Sequence, residues 1–207
     1  MLPRAIEVFK SQDYLNKEML ICMDKRGYTK DTDNEARVYQ WGNPLSIAGK
    51  RNELCSFAKG EIIITQDDDD WFAKDWITHT VNHMQATGAD TTGLSNAWFY
   101  QPHSRLWEYR WNGKSKYCIG GTLAYKRTIW EQNKFRETAS GFGEDTLFMA
   151  KAGRVIPHDY QNGFVAMIHG NNSTSHIGVK TNPRFHPHHP DYMRKVLGAD
   201  YSKYPVK

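Results

Sequence analysis

Four consecutive carboxylates, Asp67 to Asp70, follow directly on the apolar run of EIIITQ (61–66) in the stretch ITQDDDDWF. Like charges this close repel and raise one another's pKa, so the density asks for a compensating cation. In an extended segment Asp67 and Asp69 point one way, Asp68 and Asp70 the other. Two carboxylates on one side can share a hard divalent cation, Mg²⁺ or Mn²⁺, whose other positions go to water and phosphate. The competing reading is a solvated acidic loop. Trp71 and Phe72 speak against it, because they tie the run to apolar surface. A second carboxylate pair, Glu144–Asp145, lies in the glycine-rich ASGFGEDTLFMAKAG (139–153). There a carboxylate is either a general base or only a helix cap. His169 ends the apolar GFVAMIHG, as a metal ligand or as a buried, hydrogen-bonded histidine.

The elements that position these groups follow from pattern. Pro3 suits the first turn of a helix over 3–15, and EMLICM (18–23) is a short apolar strand. RVYQW offers a strand, 45–58 a helix stopped by Gly60, and EIIITQ a second buried strand. Asp75 caps a helix over 75–86 that ends at Gly88. Strand-like pieces follow near 96–101, 105–111, 116–127, 154–160 and 163–170, with helices near 128–135 and after 143. Alternation of strand and helix over the first ninety residues predicts an α/β fold with a partly parallel sheet. Ligands of such sheets bind beyond the carboxyl ends of the strands, where the aspartate run falls.

The 207 residues suit one large domain. The formal charge of +4 would be +8 without the four aspartates, so positive charge is spread elsewhere. A basic surface permits contact with nucleic acid, anionic lipid or phosphate-bearing substrates. Three scattered cysteines, Cys22, Cys55 and Cys118, fit neither a disulfide framework nor a thiolate zinc site. There is no apolar run of about 18 residues and no leader-like segment, which together predict a cytoplasmic protein. From 179 the chain turns basic and rich in Pro and His, including FHPHHPDY. This predicts an extended arm (179–207) beside a single domain (1–178), peripheral to a membrane surface, a nucleic acid or a partner subunit.

Taken in order, PRAIEVFKSQDYLNKEMLICMD, GKRNELCSFAKGEIIITQDDDD, GGTLAYKR, GFGEDTLFMAKAG and IHGNNSTSH resemble the GT-A fold glycosyltransferases of family 2. Members open with a strand and a small-Pro-Thr-Tyr-Asn-like loop, whereas this chain starts at the helix. The resemblance therefore implies a minimal version, a GT-A-like mixed sheet flanked by helices.

It also implies roles. Asp24 meets the nucleotide base or ribose, and Asn52 lies near the nucleotide. The Asp-x-Asp motif maps onto Asp67–Asp68–Asp69, with Asp67 and Asp68 on the donor and Asp69 on the metal; a run of four admits a neighbouring register. Gly120 and Gly121 line the donor-sugar or acceptor pocket. Glu144 and Asp145 are catalytic, with Asp145 the base of inverting members. His169 completes the metal shell, with His176 as the substitute. Lys180 or Arg184 adds charge for the diphosphate beside the polar loop Asn171–Ser175. The implied activity is metal-dependent, inverting transfer from a nucleotide sugar, UDP-linked for preference, with Mn²⁺ or Mg²⁺. The acceptor is a hydroxyl of a glycan, a lipid-linked glycan or a modified DNA base. Trp98, Tyr100, Trp107, Tyr109 and Trp111 either stack on that acceptor or pack a core. A metal-dependent nucleotidyltransferase and a non-catalytic sugar- or nucleic-acid-binding module are the competing classes.

Overall fold

The computed structural model describes residues 2–23, 36–40, 44–113, 116–139, 143–169, 172 and 182–204. Helix α1 (Leu2–Ser11) buries Ala5, Val8 and Phe9, a three-to-four spacing that puts one face inward. The amide of Gln12 then ties this helix to the start of the third one, donating to Ala73 O (2.8 Å) and accepting from Ile77 N (3.1 Å). Strand β1 (Met19–Met23) pairs in parallel with β2 (Ala36–Gln40). Helix α2 (Ile47–Phe57) packs on β1 and is capped by Ser46, whose Oγ accepts from Gly49 N at 3.0 Å. Next come β3 (Ile62–Ile64), β4 (Trp71–Phe72) and α3 (Trp76–Thr87), which closes on Gly88 in the left-handed region at φ 66°. Strands β5 (Thr91–Thr92), β6 (Ala97–Gln101), β7 (Arg105–Tyr109) and β8 (Ala124–Lys126) follow, then α4 (Arg127–Gln132) and α5 (Glu144–Met149). Strands β9 (Phe164–Met167) and β10 (Phe185–His188) precede α6 (Tyr192–Leu197).

The described strands form three sheets: β1-β2, β3-β8-β5 and β10-β7-β6-β9-β4. The parallel neighbours are β1 with β2 and β6 with β9. The expected mixture of parallel and antiparallel pairing is thus present, divided over three sheets. Strands β3 and β5 run the same way, but β8, from beyond residue 120, inserts antiparallel between them. Their carboxyl ends still share one side. The predicted strand over 154–160 reduces to two isolated bridges, Thr91 with Val155 and Leu94 with His158. Pro157 removes a ladder donor between them.

The described part of the C-terminal segment packs on the rest of the chain. FHPH is β10, the edge strand beside β7, where Pro187 is tolerated because an edge needs no second set of partners. Met193, Leu197 and Tyr204 are core residues, packed in one cluster with Trp71, Trp98 and Tyr100. Trp71 Nε1 donates to Asp200 at 2.9 Å. Three of the tail's cations have described local partners: Arg184 lies over Trp111, Arg194 over Tyr201, and Lys203 pairs with Glu7 and Asp200. Met193→Ala is therefore expected to cost about 2–5 kcal/mol, read as a lower urea midpoint; a loose arm would show no change.

His158 is 6% exposed under α3, with ring centroids 5.2 Å from Trp76 and 5.1 Å from His79. Burial, reinforced by His79 and His83, pushes its pKa down to about 3. The folded state thus binds fewer protons here than the unfolded chain, whose histidine titrates near 6.5. Stability from this group is full above about pH 6.5 and is lost as the pH falls toward about 3. Urea midpoints should drop from about pH 7 to about pH 4, and His158→Gln should shrink that drop.

Candidate active site

The acidic run lies at the carboxyl end of β3. Thr65 N still bonds Leu123 O (2.8 Å) of the β8 approach, so the strand delivers Asp67 in a fixed direction. The chain then bends at Asp68–Asp69 before β4 begins at Trp71. This bend cancels the strict alternation expected of an extended segment. A Cβ built on Gly121 would lie 2.9 Å from Asp67 Oδ2 and 3.5 Å from Asp70 Oδ2, so these two share a side.

Each aspartate has its own surroundings. Asp70 is buried and accepts from Met167 N at 2.9 Å, fastening the bend to the end of β9. Burial, then Asp67 and Asp69, raise its pKa well above the carboxylate range. The fastening also delivers His169, two residues on, to Asp69: His169 Nε2 lies 2.8 Å from Asp69 Oδ2. Asn172 Nδ2 donates to that same oxygen at 2.7 Å and to Met167 O at 2.9 Å, while its Oδ1 accepts from His169 N. Asp67 keeps an open surface yet sits deep among protein atoms, as a residue on a cleft wall does. Loss of solvation raises its pKa, Asp69, Asp68 and Glu144 add to the rise, and Arg51 opposes it.

Gly120 and Gly121 open a 3₁₀ turn over Gly120–Thr122, which Thr122 braces by accepting from Leu94 N (2.9 Å) and donating to Ile119 O (2.8 Å). A Cβ on Gly120 would lie 2.5 Å from Asp145 Oδ2. Adjacent glycines thus press against two carboxylates, Asp145 and Asp67, and closeness of approach is what requires glycine at both. Gly143, at φ 87°, turns the chain into α5. Asp145 Oδ1 accepts from its neighbour Thr146 N at 2.7 Å, leaving Oδ2 toward the glycine turn.

Glu144 is buried and ion-paired to Arg51 Nη1 at 2.9 Å; the side chains are 10% and 15% exposed. Sequence reasoning passed over Arg51 in favour of its neighbour Asn52. Asn52 braces the fold: its Oδ1 accepts from Trp130 Nε1 and Phe135 N (both 3.0 Å) and its Nδ2 donates to Phe135 O (2.8 Å). Asn172 was also missed; its place three residues after His169 was the available signal. Arg184 lies over the Trp111 ring (4.3 Å) and reaches Asn112, so its described partners are aromatic and amide. Of the mid-chain aromatics, Trp98, Tyr100 and Tyr109 are core, while Trp107 and Trp111 are half-buried. Asp24, Lys180, Asn171, Ser173–Ser175 and His176 fall outside the described residues.

The described site brings together Asp67, Asp68, Asp69, Asp145, Glu144, His169 and the glycine pair. Among the described residues no group of three His, Cys, Asp or Glu is arranged to hold a metal. The residues that could hold one are Asp69 and His169, whose hydrogen-bonded Oδ2 and Nε2 are both ligand atom types. With metal–ligand bonds of about 2.1 Å, neighbouring corners of an octahedron lie roughly 3 Å apart, and Asp69 Oδ2 and His169 Nε2 are 2.8 Å apart. Mg²⁺ commonly takes few protein ligands and fills the rest with water and phosphate.

A strand-end carboxylate run, a glycine pair against a second carboxylate and a late histidine thus meet in this fold. Residues 1–150 match the family described as Glycosyl transferase family 2, and the chain belongs to it. No curated protein matches the chain by sequence. Among solved structures it is similar to S. aureus TarS 1–349 in complex with UDP-GlcNAc (TM-score 0.62, 14% identity, 95% of this chain and 67% of that one). It is also similar to the mannosyltransferase PcManGT from Pyrobaculum calidifontis with GDP-Man and Mn²⁺ (0.60, 16%, 86% and 55%). GalNAc-T7 with UDP, GalNAc and Mn²⁺ is a third (0.55, 12%, 97% and 47%). The chain spans 56% of TarS 1–349 in another of its structures and 40% of the longer TarS chain.

Proposed function

We propose that this chain transfers a sugar, with inversion, from a nucleotide-sugar donor to an acceptor hydroxyl. The observation that carries the reading is the adjacency of Asp67 and Asp145 across Gly120–Gly121, beside the Asp69–His169 pair. Donor chemistry belongs on the Asp67 side and proton transfer on the Asp145 side. Asp145 accepts the acceptor's hydroxyl proton as that oxygen bonds the anomeric carbon and the nucleoside diphosphate leaves with the electrons of the broken C–O bond. Asp69 and His169 would hold Mn²⁺ or Mg²⁺, which supplies Lewis-acid stabilisation of the diphosphate. Asp67 and Asp68 meet the donor, and Arg51 keeps Glu144 and Asp67 in place. A UDP-sugar is the preferred donor, in keeping with the UDP ligands of TarS and GalNAc-T7. The acceptor is a hydroxyl of a glycan, a lipid-linked glycan or a modified nucleic-acid base. No described helix is long and apolar enough to cross a membrane.

The test is the identity of the released product. Sugar transfer liberates nucleoside diphosphate; pyrophosphate release would mean nucleotidyl transfer. Gly120→Ala should lower transfer about 10²-fold, since small misplacement of a reacting group costs that much. Its melting temperature should change little, because Asp145 is half-exposed and can move aside. A large loss of stability with transfer intact would contradict the part given to this glycine.

A further inference from the structure

A cavity of about 490 Å³ lies apart from the carboxylate cleft, within the size range of small-molecule sites. Its walls come from three elements: the β5–β6 connection, the segment after Val155 and helix α3. Ser95, Asn96, Asp159 and Gln161 supply hydroxyl, amide and carboxylate groups, with His83 at the α3 side. Pro157 supplies apolar surface. Among the described residues, no Lys or Arg lines it.

This chemistry selects a ligand class. A phosphate or diphosphate needs cations or a comb of backbone N–H groups, and the lining offers one carboxylate instead. His158, which also lines the cavity, is held neutral by burial, so it adds no positive charge. A purely apolar ligand would cover the Asp159 carboxylate and the exposed Asn96 side chain without pairing them. A neutral polyol satisfies both sets: hydroxyls bond to Asn, Gln, Ser and Asp, and a C–H face lies on Pro157.

The cavity also has a fixed relation to the cleft. Leu94 O accepts from Ile119 N at 2.8 Å, and Ile119 directly precedes Gly120. Asn96 Oδ1 accepts from Trp111 N at 2.8 Å, and Trp111 stacks on Tyr117 with centroids 4.5 Å apart. Cys118, next in the chain, bonds through its N to Met149 of α5, the helix that carries Asp145.

We propose that this cavity binds a neutral sugar unit and serves as a subsite for a residue of the acceptor remote from the reacting hydroxyl. Sugar binding stands on the lining alone; the acceptor role rests on the sugar-transfer reading.

Chemical-shift titration of the ¹⁵N-labelled protein tests it. The probes are the methyl glycosides of glucose, galactose, mannose and N-acetylglucosamine, their disaccharides, inorganic phosphate, and UDP with Mn²⁺. At least one sugar should shift the amides of Leu94–Asn96 and Asp159–Gln161, and phosphate should not. Asp159→Ala with Gln161→Ala should weaken that sugar about tenfold, as for one or two lost hydrogen bonds. Ser95→Tyr, which fills the cavity, is the second variant, and matching spectra elsewhere establish that each variant is folded. The proposal is overturned if no sugar shifts these amides, if both variants bind as the parent does, or if phosphate competes. UDP shifts at Arg51 and Asp67–Asp69 report separately on the donor reading, so either can fail without the other.

Discussion

Asp145→Asn should lower sugar transfer by about 10²–10⁴-fold, the range for removing a positioned general base. Donor binding should be essentially unchanged. Asparagine keeps the shape of the side chain and an oxygen to accept from Thr146 N, so the start of α5 is preserved. What it loses is the proton acceptor beside the glycine turn, where Oδ2 of Asp145 presses closest. Product formation with a saturating acceptor gives the rate, and calorimetric titration with the nucleotide gives the binding. Transfer at the parental rate would remove Asp145 from the chemistry. Loss of both transfer and binding would make it a donor ligand instead.

Arg51→Met has the second large effect, and it falls on stability. Glu144 is 7% exposed as a residue, and the ion pair with Arg51 is its described charge partner. Breaking a buried pair from one side leaves a charge without compensation and costs about 3–5 kcal/mol. At about 2–4 °C per kcal/mol for a chain of this size, the melting temperature should fall by roughly 6–20 °C. Asp67 loses its opposing positive charge in the same step, so its pKa should rise further. The double variant Arg51→Met with Glu144→Gln should recover much of the loss, because neither charge then remains buried. If the two single losses simply add, the ion pair is not what couples these residues.

The acidic run, the glycine pair and the Glu-Asp pair were legible because each is a local signal. Charge density at a strand end, or two adjacent glycines, can be read without knowing what lies opposite. The bend at Asp68–Asp69 was not legible. It is imposed by the pairing of Trp71 with Val165 and by the bond from Met167 to Asp70, both contacts across about a hundred residues. Arg51 was missed for a related reason: a cation on a helix looks like any surface cation until Glu144 is brought to it from α5. Asn52 drew the attention instead, and its amide braces Phe135 and Trp130.

The tail shows the same limit. Prolines in FHPHHPDY read as breakers, yet Pro187 sits in an edge strand, where a missing N–H is harmless. Edge position is a tertiary fact. So is the burial of Met193 and Leu197, two apolar residues among charges in a segment whose overall composition is basic. The alternation of strands and helices did forecast an α/β fold. It did not forecast that β8 would come from beyond residue 120 to separate β3 from β5.

The central claim is donor turnover at the Asp67–Asp69 side of the cleft. A panel of UDP-, GDP- and other nucleotide sugars, read by nucleoside diphosphate release with and without Mn²⁺, tests it directly. The account predicts that at least one donor is turned over, that turnover needs the metal, and that Asp69→Ala abolishes the requirement along with the activity. Failure of every donor to be bound or turned over, with or without Mn²⁺, would contradict it.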